Sequence, residues 1–213
     1  MTDADTIILF HSPQSRSSGV LTLLEELGAP YRLHVLNMKA GEQLRPEYLA
    51  VNPLGKVPAI LHRGTLVTEQ VAIFIYLADL FPAAGLTPAL GDGKRGTYLR
   101  WLVYYASCFE PALVDRAMQR EPAPRAMSPY GSFETMLETV VSEIRGKPYL
   151  LGDRISAADI LWGNALNWGV TFKLVPEDKA IAEYAARIMR RPAATKVASM
   201  DSELAAEHQK ALA

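Results

Sequence analysis

Apolar and polar positions change their spacing several times along this chain. Residues Thr6 to Phe10 read TIILF, a β-branched apolar run that breaks at HSPQSRSSG, a cluster of turn formers and helix caps. This pattern predicts a strand entering a loop. In the following VLTLLEELG, Val20, Leu23, Leu24 and Leu27 recur at helical spacing and Gly28 supplies a stop. Tyr31 to Leu36 alternates enough to be a second strand, so the opening is a βαβ unit, with a parallel pair and a right-handed crossover. Val57 to Leu61 and Thr65 to Val67 are short apolar segments separated by His62, Arg63 and Gly64, the signature of a tight hairpin. Glu69 to Leu80, EQVAIFIYLADL, is an apolar helical run long enough to cover one face of a sheet.

The pattern then changes. FPAAGLTP, with Pro82, Gly85 and Pro88, reads as a linker. Beyond about Gly93, helical periodicity recurs between loops such as REPAPRAMSP, whose three prolines stop a helix. The expected organisation is an α/β domain over 1–81, a linker over 82–92 and an all-α domain over 93–213. Within the helical half, RISAADILW places Ser156 at an N-cap and Asp159 three residues on, a capping-box arrangement with Ile155 and Ile160 as a staple.

Composition removes several classes of function. With 213 residues, 49% hydrophobic and 21% charged, the chain can bury a core and is not a disordered one. A formal net charge of -1 offers no excess of Lys and Arg to neutralise phosphates, so nucleic acid is not an expected partner. The longest apolar run, Val71 to Ala78, is far short of the roughly 20 residues that span a bilayer. The opening MTDADT lacks the positive and apolar regions of a secretory signal, and the single thiol, Cys108, suits a reducing compartment; a cytoplasmic location is expected. One cysteine excludes a CxxC redox pair, and Cys108 is expected to be a buried packing residue. His11, His34, His62 and His208 have no paired spacing for a metal, so none is expected.

Three segments carry candidate chemistry. Ser12 to Ser18 lies where a parallel strand hands over to a helix, whose exposed N–H groups favour an anion. Its serines either cap the helix or donate to a bound thiolate, and both readings stand. The loop lacks the GxGxxG glycines that wrap a pyrophosphate, which argues against a nucleotide cofactor. In NPLGKVPAI, Asn52 to Ile60, Pro58 belongs at an edge or turn; a cis bond after Val57 would free that residue's backbone for a peptide-like ligand, whereas a trans bond would make it an ordinary edge. Thr68 to Gln70, at the next helix start, offers amides and a Gln side chain to a carboxylate.

The order of these segments resembles the glutathione S-transferase family over nearly the whole chain. The resemblance is most specific at LFHSPQSRSS, at NPLGKVPAI with LVTEQVAIFIYLADLFP, and at YLLGDRISAADILW. It implies a thioredoxin-like N-terminal domain that binds glutathione and an all-α C-terminal domain that shapes a pocket for a second substrate. On that basis Val57, before a cis Pro58, pairs with the cysteinyl part of glutathione. Glu69 and Gln70 hold the γ-glutamyl end, with Gln70 standing where the family usually has Ser. Lys56 approaches the glycyl end or the cysteinyl carbonyl. Ser15 matches the family's catalytic serine, with Ser17 the second choice. The absence of a cysteine there argues against the thiol-transferase and dehydroascorbate-reductase branches. Tyr104, Glu110 and Trp168 match pocket positions.

The resemblance further implies a homodimeric detoxification enzyme that uses glutathione as co-substrate against small electrophiles. Glutathione-dependent peroxidase, isomerase, dehalogenase or lyase chemistry are its alternatives. A non-catalytic binding or regulatory protein is the alternative of another class.

Overall fold

The structure, a computed structural model, describes residues 5–121 and 123–212. Residues 1–4 of the acidic opening and Pro122 of the proline-rich break lie outside the described residues. Two compact units emerge: the chain up to Ala84 together with the chain from Arg191 onward, and Gly85–Arg190 between them.

The first unit is organised on β1, Ile7–His11. It lies inside a four-stranded sheet ordered β2-β1-β3-β4, parallel to β2 (Tyr31–Val35) and antiparallel to β3 (Ala59–His62), which in turn pairs with β4 (Thr65–Val67). Because both faces of β1 are covered, its apolar run is continuous, as a strand buried on two sides requires. Ile7 and Leu9 are fully buried, and Phe10 joins Leu36, Tyr48 and Ala59 in a cluster.

Helix α1, Ser17–Leu27, buries Val20, Leu23, Leu24 and Leu27, the four residues whose spacing predicts it. It ends at Gly28, whose φ of 62° supplies the left-handed cap. A short helix α2, Pro46–Leu49, precedes β3, and helix α3, Gln70–Leu80, packs against α1 and β3. The β3–β4 turn is closed by Arg63 and Gly64, both at positive φ, as a tight two-residue hairpin demands.

The second unit is helical, as expected. A long helix runs through α4 (Arg95–Tyr104), a π-helical turn at Tyr105–Phe109 and α5 (Glu110–Ala117), followed by α6 (Phe133–Ile144), α7 (Ala157–Thr171) and α8 (Lys179–Met189). Its core is aromatic: the Trp162 ring meets Phe109 at 4.9 Å and Trp101 and Tyr105 at 5.8 Å each, and its indole N–H donates to the Trp101 carbonyl.

The capping box at the start of α7 is present, and it is a hub. Asp159 accepts from Ser156 N–H at 2.8 Å, Ser156 Oγ–H at 2.7 Å, Leu150 N–H at 2.7 Å and Tyr184 O–H at 2.7 Å. Burial pushes its carboxyl above the usual carboxylate range, against the pull of those donors.

The last helix, α9 (Pro192–Lys210), departs from the expected boundaries, which place it in the helical domain. It packs on α1 in the first unit. Arg191 grips Glu26 with two bonds of 2.6 Å, and Lys196 reaches Glu25 at 2.7 Å. Nothing in its sequence pattern marks this choice, because an amphipathic helix presents the same apolar stripe to either unit.

Glycines in the helical unit separate packing from propensity. A Cβ on Gly163 would lie 2.4 Å from Ile188 Cβ, so α7 and α8 approach closely only because this residue is small. Gly96 meets nothing within 4 Å. Gly163→Ala is expected to destabilise the protein by about 2 kcal/mol or more, since overpacking outweighs a helix gain of about 1 kcal/mol. Gly96→Ala is expected to stabilise by roughly 0.5 kcal/mol. Denaturant unfolding of both variants checks the contrast.

Candidate functional site

The registers of the sheet bring three of the expected segments to one end. Phe10 pairs with Ala59 across β1 and β3, so the chain leaving β1 runs beside Val57 and Pro58 entering β3. Ile60 pairs with Val67 across β3 and β4, so the chain leaving β4 brings Thr68, Glu69 and Gln70 to the same end. The Gln70 side chain then donates to the Arg16 carbonyl at 3.0 Å, tying the start of α3 to the loop before α1. Ser15, Val57, Pro58, Glu69 and Gln70 therefore come from three loops at one sheet end, where α/β folds place ligands.

Each loop is held differently. The Val57–Pro58 bond is cis. Among the described residues no hydrogen bond engages the Val57 N–H or C=O, which leaves a peptide unit able to pair with an extended ligand. The turn before it is fixed by Lys56, whose carbonyl accepts from Tyr48 O–H at 2.6 Å and Asn52 Nδ2–H at 2.9 Å, while its ammonium is exposed. Gly55 is required here: it has φ of 59°, and a Cβ would lie 2.9 Å from the Gln43 carbonyl. Glu69 has φ of 63° at the N-cap of α3, a strained conformation for a residue with a side chain. Its side chain is exposed at that end of the sheet.

The serine loop is the most tightly wired. Ser15 Oγ lies 2.7 Å from Ser17 Oγ and 2.7 Å from the Ser12 carbonyl, and accepts from Ser17 N–H at 3.2 Å. Ser15 thus holds the first amide of α1, one residue before the Arg16 N-cap, and is half-buried. Ser17, the second choice, is fully buried. Its Oγ accepts from Ser12 N–H at 3.1 Å, has the Ser12 carbonyl at 3.1 Å, and lies 2.8 Å from His11 Nδ1.

Two residues of this wiring were missed in the sequence. His11 is fully buried, and its Nε2–H donates to Asp201 Oδ1 of α9 at 3.0 Å. Asp201 Oδ2 also accepts from Gln14 N–H at 2.9 Å and Ser18 O–H at 2.5 Å. Gln14 itself has φ of 56°, so the loop holds a left-handed residue against this carboxylate. Burial acts to raise Asp201, but the bonds from His11, Ser18 and Gln14 outweigh it and hold the carboxyl below its usual value of 3.8. A separation of 190 residues hides the pair from local pattern reading.

In the helical unit the three expected pocket residues have separate surroundings. The Tyr104 hydroxyl donates to the Met136 carbonyl at 3.1 Å, and its ring meets Trp101 edge-on at 5.4 Å, so it joins two helices. Burial pushes its phenol up. The Glu110 carboxylate accepts from the Tyr105 hydroxyl. Trp168 is 37% exposed and packs on Phe172 at 4.5 Å. A groove of about 320 Å³ lined by Arg116, Phe133, Leu137, Val141, Pro176 and Ile181 holds none of the three. Cys108, expected to be buried, is half-buried, and its thiol donates to the Pro129 carbonyl at 3.3 Å. Among the described residues no three His, Cys, Asp or Glu side chains are grouped to hold a metal, and no helix is long and apolar enough to cross a membrane.

The family profile for the glutathione S-transferase N-terminal domain matches residues 5–79, and that for the C-terminal domain matches residues 111–192. The chain belongs to the glutathione S-transferase family. A glutathione S-transferase of Escherichia coli O157:H7 is 30% identical over 187 residues, covering 86% of this chain and 93% of that one. A glutathione transferase structure from Methylococcus capsulatus superposes with a TM-score of 0.78 at 28% identity, over 92% of this chain and 98% of that chain. A sphingomonad glutathione S-transferase complexed with glutathione gives 0.75 at 30% identity, over 92% and 98%. The expected fold, a thioredoxin-like part with a helical part, is thereby established, and the protein is an enzyme of the glutathione transferase kind.

The position of Asp201 makes stability of this transferase depend on acid. Its folded carboxyl titrates below the unfolded value, so its contribution is complete above about pH 4 and is lost as pH falls through the folded value. Melting temperatures measured between about pH 5 and pH 2 should therefore fall less steeply for Asp201→Asn than for the natural protein.

Proposed function

We propose that the protein conjugates glutathione to small electrophiles, with the Ser15 hydroxyl donating a hydrogen bond to the glutathione thiolate. The observation that carries this reading is the meeting of Ser15 with an unpaired Val57 peptide unit and the strained Glu69 at one end of the sheet. An extended tripeptide laid across that end would pair its cysteinyl backbone with Val57. Its γ-glutamyl group would meet Glu69 and Gln70, and its glycyl end the exposed Lys56. The glutathione seen in the sphingomonad relative supports this co-substrate.

Ser15 is preferred over Ser17 because it is only half-buried, whereas Ser17 is fully buried. The chemistry asked of it is modest. Lowering a thiol from about 8.5 by roughly two units takes about 2.7 kcal/mol of preference for the thiolate. One charge-assisted hydrogen bond supplies roughly 1.5 to 3 kcal/mol and the start of α1 roughly 0.3 to 1. The thiolate then attacks an electrophilic carbon, forming a carbon–sulfur bond while the leaving group departs with its electron pair. In the helical unit we assign Trp168, exposed beside Phe172, and, in its separate surroundings, Glu110 to the second substrate; Tyr104 joins two helices.

Kinetics with an aryl halide test the reading. Ser15→Ala should lower kcat/KM at neutral pH by roughly 30- to 100-fold and raise the bound thiol by one and a half to two pH units, with glutathione affinity, measured by calorimetry, nearly unchanged. An unchanged thiol titration would exclude Ser15 as the sulfur's partner, and no glutathione binding at millimolar concentration would favour a non-catalytic protein.

A further inference from the structure

Four side chains in the first unit form one continuous chain of hydrogen bonds that ends at the serine assigned to the sulfur. Ser15 Oγ is 2.7 Å from Ser17 Oγ, Ser17 Oγ is 2.8 Å from His11 Nδ1, and His11 Nε2 is 3.0 Å from Asp201 Oδ1. Every member except Ser15 is buried, so water does not interrupt the line.

The direction of each proton follows from donor chemistry. An ionised carboxylate only accepts, so Asp201 fixes the Nε2–H tautomer of His11. In that tautomer Nδ1 carries a lone pair and accepts from Ser17 O–H at 2.8 Å, nearer than the Ser12 carbonyl at 3.1 Å. With that proton committed, Ser17 Oγ can only accept, and it takes Ser12 N–H and Ser15 O–H. The Ser15 proton has a choice between Ser17, the Ser12 carbonyl and a ligand outside the loop.

We propose that Asp201, His11 and Ser17 form a proton relay that receives the glutathione thiol proton through Ser15. The inference rests on the reading of Ser15 given above. The sulfur's proton passes to Ser15 Oγ as Ser15 releases its own to Ser17 Oγ and Ser17 releases its own to His11 Nδ1. One proton moves from sulfur to imidazole, both serines remain neutral hydroxyls, and no other reactant is needed. Afterwards every donor points the same way: His11 Nδ1–H to Ser17, Ser17 O–H to Ser15 and Ser15 O–H to the thiolate. The buried imidazolium is compensated by Asp201 from α9, a requirement for any charge created inside a protein. Around His11 the register partner on β2 is Val35, and the neighbour from α1 is the neutral Ser17. In this arrangement His11, Ser17 and Asp201 are positioning residues that act through Ser15.

Two variants cut the line at different bonds. His11→Gln keeps a donor near Asp201 and loses the Ser17 contact, while His11→Asn does the reverse. Both should raise the titration of bound glutathione, read from its ultraviolet thiolate absorbance, by about one pH unit and lower kcat/KM at neutral pH by roughly tenfold. The acid limb of the kcat/KM profile should move by the same amount, with glutathione affinity held within about twofold. Ser17→Ala, which leaves the imidazole and α9 in place, should give the same shift and serves if a His11 variant does not fold.

Lys196→Gln removes the largely exposed, screened pair between α9 and α1 without touching His11, and should leave the thiol titration where it is. Thiol titrations in the His11 and Ser17 variants that match the natural protein would overturn the relay, as would an equal shift in Lys196→Gln. If Ser15→Ala raises the thiol titration while the His11 and Ser17 variants do not, the relay fails and the role of Ser15 survives. If Ser15→Ala changes nothing, the reading of Ser15 fails and the relay falls with it.

Discussion

A loop that turns a buried strand into a helix while keeping one hydroxyl at the surface needs its backbone held from outside. Its own residues are too short to cross-brace it, and the helix start leaves N–H groups unpaired. Here the outside support is Asp201. Its carboxylate takes the Gln14 amide, the Ser18 hydroxyl and the His11 ring together, and so fixes both ends of the loop and its left-handed middle residue. The bidentate Arg191–Glu26 pair and the Lys196–Glu25 pair then hold α9 along α1, so the carboxylate is delivered by a helix clamped at several points. The two clamps are not equivalent. Lys196 is largely exposed and screened, whereas the Glu26 carboxylate is nearly buried, so most of the retention comes from Arg191.

This arrangement explains what was and was not legible in the chain. The elements of the first unit follow from short-range spacing: Leu23 and Leu27 mark one face of α1, Gly28 ends it, and Arg63 with Gly64 closes the hairpin. The capping box at Ser156 and Asp159 was legible for the same reason, since three residues contain the whole motif. The place of α9 was not, because it depends on charges near residue 26 meeting charges near residue 191. His11 was seen only as a histidine without a metal partner. Its role becomes visible once the carboxylate 190 residues away is beside it.

The same distinction runs through the site residues. Ser15, Val57, Pro58, Glu69 and Gln70 were recognisable as motif positions, but what assembles them is sheet register, which spacing alone does not supply. Aromatic positions in the helical unit were less informative. Tyr104 and Trp168 look alike as residues on helices, yet one is spent joining Trp101 and Met136 while the other keeps a third of its surface in solvent. An aromatic ring stabilises whatever surface it covers, so the residue type does not tell a core wedge from a pocket wall.

A single hydroxyl has one proton and, in this loop, more than one acceptor. Ser15 faces the Ser12 carbonyl and Ser17 at equal distance, so in the proposed role a sulfur would compete with partners already in place. A neutral thiol is a weak competitor for that proton, and a thiolate is a strong one, because a charged acceptor makes a bond roughly twice as strong. In the proposed role the bond would form only as the charge forms, which is the condition for it to lower the thiol's pKa rather than merely to bind glutathione. The alternative acceptors matter to this selectivity. A Ser15 hydroxyl with no internal partner would bond thiol and water alike, and part of its preference for the thiolate would be lost.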